Sequence, residues 1–205
     1  MDALKPVNHY KRHKKINLST AIICIIAVIM IEIITILCIR IYDQHKYEQK
    51  MKDFIKGEFS IYKSHYKRLP FDVFIHAKKI SMKEELPLEE ILSLMNNESG
   101  FNRYAVSHSG AQGLCQLMPE TQKNYKVTDP YNIRQNITAG VKYLKYCKIK
   151  AQYDMALSYK KYNGGHNRKK FTPGGESEIY SARCMADLIA TTIAVNRYRI
   201  YFSVV

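Results

Sequence analysis

No two cysteines in this chain are spaced C-x-x-C, no Walker-type phosphate loop occurs, and no dinucleotide-binding glycine fingerprint is present. Their absence removes the most readable zinc, nucleoside-triphosphate and dinucleotide sites. No run alternates convincingly between apolar and polar residues, so nothing reads as a strand, and neither an internal repeat nor a low-complexity tract appears. Acid is scarce, with 18 Asp and Glu against 32 Lys and Arg and a net charge of +14, half carried by residues 1–70 and half by 71–205. Such a balance suits an acidic surface such as nucleic acid, anionic lipid or an anionic cell-wall polymer, or it is a generic basic surface. Cys24 and Cys38 fall in an apolar N-terminal run, while Cys115, Cys147 and Cys184 lie downstream. Three is an odd number, so no complete disulfide framework is implied, and a Cys147–Cys184 bridge stays open as an option in an oxidising compartment.

What is present begins with that apolar run. At 205 residues the chain is long enough for one domain of ordinary size plus appendages. Leu18 to Ile39 is apolar for 22 residues apart from Ser19, Thr20, Glu32 and Thr35. As a helix it spans roughly 33 Å, enough for a bilayer core. Lys5, Lys11, Arg12, Lys14 and Lys15 precede it, and Arg40, Lys46, Lys50 and Lys52 follow, a modest bias towards a cytoplasmic N-terminus. Cys-Ile-Arg-Ile-Tyr after the run offers no signal-peptidase site, so we read an uncleaved signal anchor. Glu32 costs a few kcal/mol in the span; it either faces a partner helix or is tolerated through thinning and snorkelling. The expected organisation is a basic cytoplasmic tail (1–17), a transmembrane signal anchor (18–40), a stalk (41–70) and a C-terminal domain (71–205) outside the cytoplasm. Ile55, Phe59, Tyr62 and Tyr66 recur at helical spacing within the stalk, which is expected to pack only loosely on the domain, and Pro70 ends it.

From Phe71 onward the periodicity predicts helices over 71–82, 88–98, 136–148, 151–162 and 177–195, with a loop rich in Gly, Ser, Asn and Pro at 99–135. Ile91, Leu94, Met95 and Glu98 share one helical face. A carboxylate ending an apolar stripe either snorkels to water or sits in poor solvent, and the second raises its pKa towards the ~6 of glycosidase acids. Gly100 stops the helix there and leaves the carboxyl at an opening.

The residues that follow carry a resemblance. Glu98-Ser99-Gly100-Phe101, Ala105-Val106-Ser107, Gly110-Ala111-Gln112-Gly113-Leu114 and Gln116-Leu117-Met118-Pro119 with Thr121 resemble the signature of soluble lytic transglycosylase (SLT) domains, lysozyme-like enzymes that cleave peptidoglycan. Asn136-Ile137-Thr138-Ala139-Gly140 with Tyr143-Leu144 resembles the family's second block, Tyr162-Asn163-Gly164-Gly165 its third, and Glu176 with Tyr180 its closing block. The blocks come in the family's order. The chain departs from the pattern at Cys115, where methionine is usual, and at Tyr159-Lys160-Lys161, where an apolar, alanine-rich turn is usual. The fold implied is all-α: a lysozyme-like SLT domain preceded by a single N-terminal transmembrane helix.

The resemblance implies a one-carboxylate mechanism. Glu98 protonates the oxygen between MurNAc and GlcNAc, then takes the proton of the MurNAc C6 hydroxyl as it attacks C1, giving 1,6-anhydro ends; no metal and no organic cofactor is needed. By motif match Ser107 and Gln116 donate to the sugars, the other reading being bonds that fix their own loop. Met118 lines the groove or the core. Tyr162 offers an aromatic body with a polar tip, and Asn163 an amide or a turn residue. Glu176 binds sugar, orients Tyr180, or is a plain helix N-terminal acid. His108 and His166 lack a second ligand or an Asp partner at a suggestive spacing, and the run His166-Asn167-Arg168-Lys169-Lys170 reads as a solvated loop or an anion attractor.

The partners expected are peptidoglycan and the membrane, with the C-terminal domain on the outer side of a cell inner membrane. By analogy, such short anchored domains serve a secretion, conjugation or phage assembly. No nucleic-acid partner is expected, because no aromatic-basic recognition motif accompanies the charge. Two alternatives stand beside this reading. One is a goose-type-like hydrolase using Glu98 with Glu120 or Asp129, and the other a non-catalytic peptidoglycan-binding scaffold disabled by its lysines.

Overall fold

The computed structural model describes residues 17–165 and 170–203 and divides the chain into two compact units, Met1–Phe54 and Ile55–Val205. The basic tail before residue 17 and the segment from His166 to Lys169 lie outside the described residues. Helix α1, Leu18–His65, runs unbroken through what the sequence separates into anchor and stalk. In the first unit its large apolar side chains, Ile23, Ile26, Ile33, Ile36 and Leu37 among them, are exposed. Among the described residues it is the one helix long and apolar enough to cross a membrane, by length and composition. Thr35 returns its hydroxyl to the Ile31 carbonyl, which satisfies its donor within the helix.

The second unit is built from the end of α1 and six further helices: α2 (Phe71–Glu84), α3 (Leu88–Ser99), α4 (Pro119–Asn124), α5 (Ile133–Lys150), α6 (Met155–Gly164) and α7 (Glu176–Ser203). Its end of the expected stalk is not loosely packed. Tyr62, Tyr66 and Leu69 are buried in the same core as Phe74, Ile91, Leu92, Leu94 and Leu144. Phe59 meets the rings of Phe71 and Phe74 at 5.0 and 5.3 Å. The Tyr62 hydroxyl donates to Glu89 Oε1 at 2.7 Å. The Ile55–Tyr66 stripe therefore belongs to the domain, because its aromatic residues bury more area than a free stalk could leave in water.

Local chemistry sets the helix ends. Asn132 caps α5 by accepting from Gln135 N at 3.1 Å, so α5 begins before the expected 136. Gln152 and Tyr153 take positive φ, breaking the expected 151–162 helix, and Asp154 caps α6 by accepting from Leu157 N. Gly100, at φ 57, closes α3 with its N–H on Asn96 O. α3 packs against α7 and α2, while α6 is set between α5 and α7.

Candidate active site

Ile91, Leu94 and Met95 are fully buried, which anchors the stripe of α3 and carries Glu98, in the last turn, to the wall of a cleft of about 650 Å³. Part of the Glu98 side chain stays open to the cleft and protein walls in the rest. Tyr180, near the start of α7, donates its hydroxyl to Glu98 Oε1 at 2.6 Å. Burial pushes the Glu98 carboxyl up from 4.5 to about 7, and the bond from Tyr180 pulls only partly against it. No cation is among the causes of the shift, so near neutral pH this group is divided between acid and carboxylate.

The loop opposite is held by α5. The buried Asn136 donates to Gln112 O at 3.1 Å and Pro130 O at 2.8 Å, and accepts from Cys115 N at 2.8 Å. Gly113 has φ 81, and a Cβ there would run into the Asn136 amide and the Pro130 carbonyl. At Gly140 a Cβ would strike the Cys115 side chain. Cys115 thus fills a gap between the loop and α5, and burial holds its thiol protonated. Ser99, the last residue of α3, ties the helix end to the loop by donating its hydroxyl to Leu114 O at 2.8 Å.

All eight residues singled out from the sequence border this one cleft: Glu98, Ser107, Gln116, Met118, Tyr162, Asn163, Glu176 and Tyr180. Their hydrogen bonds are less uniform than the sequence reading expects. Ser107 Oγ accepts from Ala111 N at 3.0 Å. Gln116, at φ 46, gives its amide hydrogens to Ala105 O and Gly113 O at 3.1 and 3.0 Å, so its donors fix the loop. Tyr162 turns its hydroxyl inward to Cys115 O at 2.9 Å and packs its ring on Tyr143 at 4.9 Å. Asn163 accepts from Ser177 Oγ at 2.9 Å. Met118 and Glu176 are exposed on the rim.

The sequence reading passed over Asn97, Tyr143, Phe171 and Arg183, which also line the cleft. Tyr143 lies in the second block and Arg183 one turn beyond Tyr180, but no pattern marks Phe171. Glu120 and Asp129 are exposed and do not border the cleft, and the second carboxylate that does is Glu176. Lys160 is not in the cleft wall: its ammonium pairs with Glu178 Oε1 at 2.8 Å, across α6 and α7. Cys147 and Cys184 are both free buried thiols, each pushed up to about 12 by burial, so the bridge left open by the sequence is not formed. Among the described residues no group of three His, Cys, Asp or Glu is placed to hold a metal ion.

The family model of the Transglycosylase SLT domain matches residues 75–178. Over 90 residues the chain is 38% identical to a membrane-bound lytic murein transglycosylase F of Desulfosudis oleivorans, covering 43% of this chain and 19% of that protein. Over 98 residues it is 31% identical to a transglycosylase of Enterobacteria phage PRD1, covering 48% of this chain and 36% of the relative. The chain thus spans about a fifth and about a third of these relatives' lengths. An inactive variant of lytic transglycosylase Slt from Pseudomonas aeruginosa superposes with a TM-score of 0.52 at 22% identity, over 60% of this chain and 24% of that one, a likeness of fold. With more than half of its length matched, the chain belongs to the Transglycosylase SLT domain family.

Proposed function

We propose that this protein is a peptidoglycan lytic transglycosylase that cleaves the MurNAc–GlcNAc β-1,4 bond with Glu98 as its single acid and base. The observation that carries the reading is the state of Glu98. A carboxyl bordering an open cleft, raised to about 7 by burial and tied only to a tyrosine hydroxyl, is matched to giving and retaking a proton near neutral pH. In the first step the Glu98 proton goes to the glycosidic oxygen, the C1–O bond breaks, and an oxocarbenium-like centre forms at C1. In the second the MurNAc C6 oxygen bonds to C1 and its proton passes to the Glu98 carboxylate. The acid is restored and a 1,6-anhydro ring closes without water. Because the nucleophile is tethered, positioning alone can supply much of the rate. Tyr180 steadies the ionised form between the steps, a phenol hydrogen bond being stronger to a carboxylate than to a neutral acid.

Mass spectrometry of muropeptides released from purified sacculi tests the reading. Anhydro ends are expected. Reducing ends would replace it with hydrolysis, for which Glu176, the second acid of the cleft, is the group to examine. Absence of release would favour a binding scaffold.

The exposed apolar half of α1 supports a single-pass inner-membrane anchor, with the catalytic unit outside the cytoplasm where the wall lies. The names of the two relatives, one membrane-bound and one from a phage, are in keeping with that placement and with service to a wall-crossing assembly. A reporter active only outside the cytoplasm, fused after Val205, should be active; activity of a cytoplasm-only reporter there would reverse the topology.

A further inference from the structure

Asn97 stands immediately before Glu98 in α3 and borders the cleft. Its amide nitrogen donates to Ser93 O at 2.9 Å and to Asp187 Oδ2 at 3.3 Å. A backbone carbonyl and a carboxylate can only accept, so the nitrogen must face them, which settles which way round the carboxamide lies. Both amide hydrogens are then in use. Among the described residues the carboxamide oxygen has no partner, and no buried side-chain oxygen or nitrogen lacks one. The Asn97 oxygen is therefore open to solvent on a residue of the cleft wall.

Asp187 sets this orientation from α7. Its Oδ2 also accepts from Asn96 Nδ2 at 3.0 Å, its Oδ1 meets His65 Nε2 at 3.1 Å, and its backbone oxygen accepts from Thr191 at 2.7 Å. Asp187 follows Tyr180 by seven residues and shares its helical face. One face of α7 thus holds three consecutive residues of α3, Tyr180 on Glu98 and Asp187 on Asn96 and Asn97.

We propose that Asn97 is a substrate-binding residue whose carboxamide oxygen accepts an O–H or N–H of the glycan beside Glu98, and that Asp187 is the positioning residue that keeps this oxygen turned to the cleft. The proposal rests on the glycan-cleaving reading above and assigns that site an acceptor of fixed direction. Sugars present hydroxyl and acetamido donors along both edges, and beside an acid that donates, an acceptor completes a pair able to read one edge. Without Asp187 the Ser93 carbonyl alone selects the nitrogen, and the amide is held in this direction less firmly.

The test uses the full chain in detergent carrying Glu98→Gln, so that binding is read without turnover, with the β-1,4 GlcNAc tetramer as probe in calorimetric titrations. Asn97→Ala should weaken binding about five- to tenfold, the worth of one neutral hydrogen bond. Asp187→Asn should weaken it comparably, and the double variant should be no weaker than Asn97→Ala alone, since both remove one interaction. Asn97→Ser serves as a second variant should the alanine form melt early. In the active chain Asn97→Ala should raise KM and leave the alkaline limb of the pH profile in place, because burial and Tyr180 set the Glu98 carboxyl. Unchanged affinity in both Asn97 variants, or a parent that does not bind the tetramer, overturns the proposal. Additive losses in the double variant overturn the positioning role of Asp187. Weakened binding with no anhydro product would sink the transglycosylase reading and leave this one standing; anhydro product with silent Asn97 variants would do the reverse.

Discussion

The two ends of α3 each carry a glutamate, and their surroundings could hardly differ more. Glu90, in the first turn, faces the Lys148 ammonium at 3.0 and 2.7 Å from its two carboxylate oxygens, and both side chains are almost wholly buried. Glu98, two turns on, has one hydroxyl and a cleft. Burial raises both carboxyls, but at Glu90 the lysine's hydrogen bond and charge oppose the shift, whereas at Glu98 no positive charge does. The comparison separates a carboxylate whose charge is matched, which serves the fold, from one left unmatched at an opening, which is available for proton transfer.

The largest effect expected is on chemistry at the second end. Glu98→Gln keeps the shape and can still accept from Tyr180, but it cannot give and retake a proton. Anhydro-muropeptide release from sacculi should fall by roughly 10²–10⁴ or more, with the helical circular dichroism spectrum unchanged. A variant retaining a tenth of the parent activity would remove Glu98 as the acid and erase the contrast between the two ends.

The matching experiment at the first end reads stability. Lys148→Met leaves Glu90 buried without its cation and should destabilise the domain by about 3–5 kcal/mol. Muropeptide release by the fraction still folded should be unaffected. Adding Glu90→Leu should restore much of the loss, because two apolar side chains of similar volume need no charge matching. A Lys148→Met chain that melts like the parent would mean that Glu90 simply takes up a proton, as Glu98 does.

A smaller, pH-dependent effect sharpens the comparison. In the folded protein Glu98 holds its proton up to about 7, while in the unfolded chain it loses it near 4.5. The folded form binds more protons between those values, so the stabilisation is complete below about 4.5 and is lost as pH rises to about 7. The rise corresponds to roughly 3 kcal/mol. Melting temperatures of the parent and of Glu98→Gln, compared at pH 5 and pH 8, should shift in the parent's disfavour at the higher pH. A difference independent of pH would show that burial costs Glu98 little and that its carboxyl is ordinary.

Much of this was legible from the sequence, and what was not has a common cause. Periodicity placed Ile91, Leu94, Met95 and Glu98 on one face, and Gly100 as the stop, because both are local properties of an amphipathic helix. The motif blocks marked eight residues that the fold gathers around one cleft. The pairs that decide what those residues do are long-range. Tyr180 meets Glu98 across 82 positions, Lys148 meets Glu90 across 58, and Asp187 meets Asn97 across 90. Spacing along a helix says which face a side chain occupies and nothing about what a distant helix brings to it. For that reason neither the pairing of Glu90 with Lys148, nor the bond from the Tyr162 hydroxyl to Cys115 O, nor the burial of the Ile55–Tyr66 stripe in the domain is written in the local sequence.

The smallest effect expected is at Lys160, whose place in the turn before Tyr162 departs most from the family pattern. If it lay in the groove it would bring positive charge to an anionic wall ligand, and activity on sacculi would weaken with salt relative to neutral chitin-like oligomers. It does not line the groove. Its ammonium is engaged by Glu178, whose other oxygen accepts from Gly174 N at 2.7 Å and whose carboxyl the lysine's hydrogen bond pulls below its ordinary range. That pair ties α6 to the start of α7 at an exposed position, where charges are screened over about 8 Å at physiological ionic strength. Lys160→Ala should therefore leave the sacculus-to-oligomer activity ratio unchanged across salt concentrations from about 50 to 300 mM, a range chosen to straddle that screening length, and should barely move the melting temperature. A ratio that falls in the variant, and only at low salt, would put a lysine charge in the substrate's path. The cleft would then have a charged wall as well as an uncompensated acid, and Glu98 would no longer be the one feature that sets the chemical end of α3 apart from the structural one.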